Sequence, residues 1–235
     1  KLDFSGLKIA VGGGMAVQKA TAEKWKSVTG VPLAEGYGLT ETAPVATCNP
    51  IDGTERIGTI GMPLPNTEVM IADDAGNPVA LGERGEILIK GPQVMRGYWN
   101  RPEETALVMH GDWFKSGDIG VMDADGYTKI VDRKKEMILV SGFNVYPNEV
   151  EDIVASIPGV VECAVVGVRQ TSSGEAVKLF VVREDLNITE SLIMDVCNRE
   201  LTHYKRPTQI EFRESLPKNN VGKILRRVLR DESNA

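Results

Sequence analysis

Cysteine and histidine are scarce in this sequence, and their scarcity argues against several kinds of site. The 235 residues include three cysteines, Cys48, Cys163 and Cys197, and two histidines, His110 and His203. The cysteines are odd in number, lie far apart and form no CxxC pair, which fits a reducing compartment better than a disulfide framework. With two histidines, we expect neither a zinc cage nor a nucleophilic triad built on histidine.

Long apolar runs are also missing. Runs such as 163–168 fall far short of the ~20 residues that a spanning helix requires, so we expect no transmembrane segment. The chain opens without Met and without a charged-then-apolar leader, and we expect its N-terminus to be cut from a longer protein. These features favour a cytoplasmic protein.

Positive charge is in deficit as well. The formal net charge is −6 and the pI is near 5.2, so the average field repels phosphate polymers, and we expect no nucleic-acid partner. A Gly-rich loop that ends in Lys and cradles phosphates does not occur in the sequence either.

What remains is a chain that can bury a core and fold as one large or two small domains. The apolar run Leu7–Val11 and the helically spaced segment 18–28 predict a strand and a helix. After Glu41, apolar pieces at Glu68–Ala72 and Glu86–Lys90 alternate with DDAGN and DADG turns, which predicts antiparallel hairpins. We therefore expect α/β structure at the start and a β-rich subdomain over about 57–131.

The pattern changes again from Glu136 onward. It predicts a small α+β domain over 136–235, and we place a hinge at the charged tract 132–135 between the two patterns. Its expected strands and helices are Met137–Val140, Pro147–Ser156, Val160–Val168, Val177–Arg183 and Leu192–Leu201. A final amphipathic helix should turn inward Ile224, Leu225, Val228 and Leu229, and outward Arg226, Arg227 and Arg230.

The segment GYGLTE, residues 36–41, carries the parts of a nucleotide site. Glycines allow close backbone approach, Tyr37 offers a flat face for a purine, Thr40 offers a hydroxyl, and Glu41 offers a hard oxygen for Mg²⁺. The alternative is a Gly-rich turn before a helix, and the glycines at 12–14 have the same two interpretations.

Asp118, which we predict to lie in a Ser-Gly-Asp turn, could accept hydrogen bonds from ribose hydroxyls. It could equally be an ordinary turn residue. The segment DADG, residues 123–126, fails the EF-hand spacing because position 121 is Val, so we interpret it as a hairpin turn.

Three basic or aromatic segments follow, each with a plainer alternative. The tract 133–135 is either a solvated charge run or part of the domain boundary. Lys223 follows Gly222 in a loop and could bring its ammonium to a developing oxyanion, or could simply begin a helix. The segment 141–147 is either an aromatic-lined backbone edge containing Phe143 or a strand end before a helix capped by Asn148.

The ordered segments GGGM, EGYGLTE, PQVMRGYW, DRKKEMILVSGFNVYPNEVE and LPKNNVGKILRR resemble the adenylate-forming superfamily, from Leu7 to about Asp231. Within it, they are most similar to the bacterial long-chain fatty acid–CoA ligases. The resemblance implies an ATP-dependent acyl-CoA synthetase, of which 1–131 would be the end of the large AMP-binding domain and 136–235 the mobile C-terminal domain. The missing N-terminal half would carry the phosphate loop and most of the fatty-acid pocket.

The resemblance also implies roles for individual residues. The adenine would be bordered by Gly13, Gly14, Gly36 and Tyr37, Thr40 would contact phosphate, and Glu41 would hold Mg²⁺. Asp118 and Arg133 would bind ribose, and Lys135 would be the hinge residue. Lys223 would steady the carboxylate and α-phosphate during adenylation, and Ser141, Gly142 and Phe143 would face the CoA pantetheine.

The implied chemistry has two steps. A fatty-acid carboxylate attacks the α-phosphorus of ATP to give acyl-AMP and pyrophosphate, and the CoA thiol then displaces AMP. Between the steps the small domain would rotate about its hinge. Some relatives carry a lysine four residues after the hinge where this chain has Leu139, which favours plain acyl-CoA formation over light-emitting or similar chemistry.

Two alternatives stay open at this stage. One is an adenylation domain that serves a carrier protein, and the other is a nucleotide-binding module without catalytic activity. The resemblance leaves open a homodimer and peripheral attachment of the parent protein to the inner membrane, and we expect the fragment alone to be inactive.

Overall fold

The computed structural model of the chain divides into two units, Lys1–Val131 and Asp132–Ala235. The structure describes residues 2–14, 17, 19–220 and 222–234. Among these described residues, no helix is both long enough and apolar enough to cross a bilayer. We call the two parts unit 1 and unit 2 and describe each by itself.

Unit 1 opens with a strand–helix–strand arrangement. Its first two strands pair in parallel, with Ala10 opposite Leu33 and Gly12 opposite Glu35, and parallel neighbours require a crossover connection such as the helix between them. Two short strands extend this sheet in antiparallel fashion. The elements are β1 (Ala10–Gly12), α1 (Lys19–Thr29), β2 (Leu33–Tyr37), β3 (Thr47–Cys48) and β4 (Met62–Pro63).

The rest of unit 1 is mainly a second sheet, ordered β5-β6-β8-β7 with β9 beside β8. Its elements are β5 (Glu68–Ala72), β6 (Arg84–Lys90), α2 (Pro102–Val108), β7 (Met109–His110), β8 (Trp113–Met122) and β9 (Thr128–Arg133), the last two residues of which already belong to unit 2. Alternate residues of β6 point to one face, so Ile87 and Ile89 both enter a core with Ala46, Ile60 and Ile71.

Unit 2 is built around a third sheet, ordered β11-β10-β13-β12 with β14 parallel to β13. Its elements are β10 (Ile138–Val140), β11 (Phe143–Val145), α3 (Pro147–Ala155), β12 (Val160–Gln170), β13 (Gly174–Arg183), α4 (Glu190–Glu200), β14 (Gln209–Phe212) and α5 (Arg226–Ser233). Strands β12 and β13 pair along nearly their whole length and form the centre of the unit.

The sheet of unit 2 has an apolar cluster on each face, because side chains alternate along a strand. Cys163 and Val165 of β12 pack with residues of α3 and α4 in one cluster. Ala164 and Val166 belong to the other cluster, which Leu229 of α5 completes. Helix α5 therefore packs on the face opposite α3 and α4.

The mixed α/β and α+β fold class predicted from the sequence is confirmed, and most predicted elements lie within a few residues of their positions. The largest difference concerns the last helix. Arg226 was predicted to point outward, but its side chain is mostly buried, since it pairs with acidic groups of unit 2. Leu225 was predicted to point inward, yet it is exposed, because α5 begins only after it.

Two smaller predictions are also corrected by the structure. Asp118 lies inside strand β8 and not in a simple turn. Tyr146 is the residue that precedes α3, and Pro147 begins the helix. Asn148 is therefore not its cap. The DADG segment does form the predicted turn, between β8 and β9.

Candidate active site

The glycines after β1 and within β2 bring two backbone segments into contact. A Cβ atom on Gly13 would lie 3.1 Å from the carbonyl oxygen of Gly36, so a side chain at position 13 would press on the neighbouring strand. Gly14 has φ +79°, a conformation that glycine adopts without steric cost. Gly13, Gly14 and Gly36 thus lie together at the carboxyl ends of the two parallel strands, where open α/β sheets commonly bind ligands.

Tyr37 and Asp118 meet although 81 residues separate them. The Tyr37 hydroxyl donates to Oδ2 of Asp118 at 2.6 Å, which joins β2 to the middle of β8. Asp118 is only 4% exposed. The pairing of β8 with β6 shifts register at this place, and Gly117 has φ +73°, so an irregularity in the strand aims the carboxylate at Tyr37.

Thr40 and Glu41 follow in a short 3₁₀ turn, Thr40–Thr42. The Tyr98 hydroxyl donates to Oε1 of Glu41 at 2.7 Å, and the amide of Met95 donates to the backbone oxygen of Glu41 at 2.8 Å. The hydrogen bond to Glu41 raises the pKa of Tyr98 to about 12, so the phenol remains a donor even well above neutral pH. Thr40 is exposed.

Sequence reasoning missed Tyr98 as a partner of Glu41. The signal was present in the segment PQVMRGYW, but sequence alone does not reveal which acidic group a tyrosine contacts.

The donor chemistry of Glu41 fits a magnesium ion that is held mainly by phosphate. Within the described ranges, no cluster of three or more His, Cys, Asp or Glu side chains could form a metal cage. Magnesium, however, is commonly bound through one or two carboxylates together with substrate phosphates. Glu41 is suitable as such a single carboxylate.

Arg133 and Lys135 lie where unit 2 begins. The amide of Arg133 donates to Oδ1 of Asp132 at 2.7 Å, and Lys135 lies in a 3₁₀ turn, Lys134–Glu136. The side chains of Arg133 and Lys135 are both exposed. Neither is built into a core.

Ser141, Gly142 and Phe143 form the tip of the β10–β11 hairpin. Ser141 has φ +51° and Gly142 has φ +85°, which is the positive pair of a type I′ turn. The amide of Ser141 donates to the backbone oxygen of Ser173 at 2.9 Å. Phe143 is 56% exposed and stacks on Tyr204 with ring centroids 4.8 Å apart, so the tip presents an aromatic edge.

Lys223 lies at the end of a closed loop. Its amide donates to the Asn219 side chain at 2.9 Å, and its carbonyl oxygen accepts from the Asn219 amide at 2.9 Å. The amide of Leu225 donates to the oxygen of Pro217 at 2.8 Å. The backbone is therefore fastened on both sides of Lys223, while its side chain is exposed.

Unit 1 thus brings together Gly13, Gly36, Tyr37 and Asp118, with Thr40 and Glu41 a few residues further along the same chain segment. Unit 2 carries its candidate residues on separate segments: Arg133 and Lys135 at its start, the hairpin tip 141–143, and the Lys223 loop.

The chain matches two models of known protein families. The family model described as AMP-binding enzyme matches residues 1–99, and the AMP-binding enzyme C-terminal domain matches residues 149–223. The chain belongs to the AMP-binding enzymes.

The chain is also similar in sequence to individual curated proteins. The chain is 58% identical over 233 residues to a long-chain fatty acid–CoA ligase of Salmonella typhimurium, which covers 99% of this chain and 42% of that protein. It is 44% identical over 232 residues to the Bacillus subtilis ligase of the same name, covering 98% of this chain and 41% of that protein. The chain therefore spans less than half the length of these relatives.

Among solved structures, the chain is similar to ATP-bound MatB from Rhodopseudomonas palustris. The TM-score is 0.89 with 36% identity, covering 95% of this chain and 45% of that one. The anthranilate CoA ligase AuaEII in complex with anthranoyl-AMP gives a TM-score of 0.83 with 35% identity, covering 99% of this chain and 46% of that one.

Proposed function

We propose that this chain is the C-terminal part of a long-chain fatty acid–CoA ligase, which activates a fatty acid with ATP to acyl-AMP and passes the acyl group to CoA. The observation that carries the proposal is the 2.6 Å hydrogen bond between Tyr37 and Asp118. It unites a ring suited to a purine with a carboxylate suited to ribose, at the carboxyl ends of two parallel strands. The named relatives supply the substrate class.

In the proposed site, unit 1 holds the nucleotide. The bare backbone of Gly13, Gly14 and Gly36 admits the flat adenine ring, and Tyr37 covers one face of it. Asp118 accepts hydrogen bonds from ribose while the Tyr37 hydroxyl keeps its carboxylate oriented. Thr40 offers its exposed hydroxyl to phosphate.

Glu41 is the residue that would hold magnesium, and the ion would offset negative charge on the phosphates. The task of the protein there is to keep one carboxylate in place. Tyr98 and the Met95 amide do so from two directions. This arrangement supports a site at which the nucleotide phosphates and the magnesium ion bind together.

Unit 2 contributes a different group to each step. Lys223 carries a compact positive charge on a fastened loop, and in adenylation it would stabilise charge on the carboxylate and the α-phosphate. In thioester formation the hairpin tip 141–143 would face pantetheine. We propose that 132–135 is the hinge that exchanges the two segments, with Arg133 touching ribose.

The experiment that tests the proposal measures pyrophosphate release with ATP, Mg²⁺ and a long-chain fatty acid. Because the sequence has no phosphate-cradling loop, we expect the purified chain of 235 residues to show no release above a Lys223→Ala control. The longer protein that contains it should release pyrophosphate and form the CoA thioester.

Release by the chain alone would overturn the predicted inactivity of the fragment. Pyrophosphate release by the longer protein with no transfer to CoA would favour the carrier-protein alternative. AMP binding without any release by the longer protein would favour a non-catalytic module.

A further inference from the structure

A mostly buried arginine joins several segments of unit 2. Nε of Arg226 donates to Oε1 of Glu151 at 2.9 Å, and Nη2 donates to Oε2 of the same carboxylate, which makes a two-point contact. Nη2 also donates to Oδ1 of Asn148 at 2.5 Å. The side chains of Arg226 and Glu151 are only 20% and 16% exposed. Such forked contacts fix orientation as well as charge.

The contact between Arg226 and Glu151 connects the two faces of the sheet at one of its edges. Strand β12 is the last strand in its order, and the amide of Val165 on that strand donates to Oε1 of Glu151 at 2.7 Å. Glu151 lies on α3 and Arg226 begins α5, and these helices pack on opposite faces. The pair therefore joins the helix layers on the two faces across the edge strand β12, and Glu151 accepts from one amide of that edge, that of Val165.

The same cluster reaches the residue at which unit 2 begins. Asp132, 1% exposed, accepts from the amide of Asn148 at 2.8 Å and lies 4.0 Å from Nη1 of Arg226. Burial raises the pKa of Asp132 and that of Glu151, and the positive charge of Arg226 opposes both shifts. The guanidinium of Arg226 thus stabilises the charged form of two buried acids.

Lys223 precedes this arginine by three residues, and the hydrogen bond that the Leu225 amide donates to the backbone oxygen of Pro217 closes the loop that contains Lys223. Resting on the role proposed above for Lys223, we propose that Arg226 is a positioning residue: its contacts with Glu151 and Asn148 fix the Lys223 loop in one orientation relative to Asp132. The lysine then moves as a rigid part of unit 2 and not by a swing of its own loop.

Arg226→Lys is the most direct test, because it keeps the charge beside the two acids and removes only the forked geometry. Arg227→Lys is the matched control, since Arg227 is the exposed neighbour. In hydrogen exchange on this chain, we expect the Lys223 and Leu225 amides to exchange at least about tenfold faster in Arg226→Lys. Amides of β12 and β13 should keep their protection, and Arg227→Lys should resemble the unmodified chain.

The second measurement uses the longer protein. A displacement of about 1 Å of a catalytic group can cost on the order of a hundredfold in rate, so Arg226→Lys should slow adenylation by about that factor. Thioester formation from pre-made acyl-AMP should stay within about twofold, because it does not use Lys223. A residue with a purely structural role would slow both steps alike.

Unchanged exchange at Lys223 and Leu225, or unchanged adenylation in a folded Arg226→Lys protein, would overturn the proposal. Should Arg226→Lys fail to fold, Glu151→Gln is judged by the same two criteria. Unfolding of both variants would also overturn it, because the cluster would then support the whole unit and not one loop. If Lys223→Ala leaves adenylation intact, the proposed function of Lys223 fails, while the exchange experiment still decides whether Arg226 holds the loop.

Discussion

At the scale of single residues, the account depends on side chains that hold other side chains. Tyr37 holds Asp118 and Tyr98 holds Glu41, each through a phenol that donates to a carboxylate. Hydrogen bonds to charged groups contribute about 1.5–3 kcal/mol, more than neutral pairs. A ligand that binds the carboxylate should therefore lose affinity when such a donor is removed.

Tyr37→Phe tests this at the nucleotide site. The change keeps the ring that would cover adenine and removes only the donor to Asp118, so we expect AMP to bind the longer protein about tenfold more weakly, by the free energy of one charged hydrogen bond. Isothermal titration calorimetry gives the dissociation constant. Tyr127→Phe is the matched control, because that hydroxyl donates to the backbone oxygen of Thr54. Equal affinity in the two variants would argue against the role of the Tyr37–Asp118 pair.

The sequence allowed the candidate residues to be chosen but not their partners. Glycine, tyrosine and acid could be assigned to a nucleotide site from residue type, and the resemblance supplied their order. That Tyr37 contacts Asp118 across 81 residues depends on which strands lie together. Arg226 was misjudged because a basic residue beside other basic residues is usually solvated, and only the fold brings Glu151 to it.

At the scale of elements, the spacing of apolar residues predicted which side of the last helix packs on the core. The apolar face of α5 was predicted from spacing, and Leu229 does enter the core of unit 2. The error at Leu225 arose because the helix begins one residue later, and element boundaries follow from caps and neighbours and not from the apolar pattern. The irregularity that places Asp118 inside β8 has no signal in the apolar pattern either.

Leu229→Ala measures what α5 contributes. Leu229 is fully buried, and truncating a buried leucine usually costs about 2–5 kcal/mol because a cavity remains. We expect the free energy of unfolding of unit 2 to fall by that amount in urea denaturation. Leu225→Ala serves as the comparison, since Leu225 is 37% exposed and should change stability by less than about 1 kcal/mol. Equal losses would mean that α5 is not seated on the sheet as described.

At the scale of the whole molecule, the account assigns two tasks to one small unit. Lys223 and the hairpin tip 141–143 lie on different segments of unit 2, so each could serve its own step if the unit turns about 132–135. The 3₁₀ turn around Lys135 is the place proposed for that motion.

Lys135→Pro tests the hinge in the longer protein. Proline fixes φ near −65° and removes an amide donor, and the exposed Lys135 side chain belongs to no core. We expect adenylation to be largely kept and CoA transfer to be lost, because rotation about this residue is blocked. Both half-reactions are measured beside the melting temperature, with Lys135→Ala as the control. Normal CoA transfer in a well-folded Lys135→Pro protein would move the pivot elsewhere.

The most direct test of the central claim separates the two half-reactions in a Lys223→Ala variant of the longer protein. Adenylation is followed as pyrophosphate release, and the second step as thioester formed from CoA and pre-made acyl-AMP. The account predicts that adenylation falls by about 10²–10³, as the loss of an oxyanion-stabilising group commonly causes, while thioester formation continues at nearly its normal rate. An equal loss in both steps would contradict the assignment of Lys223 to the first.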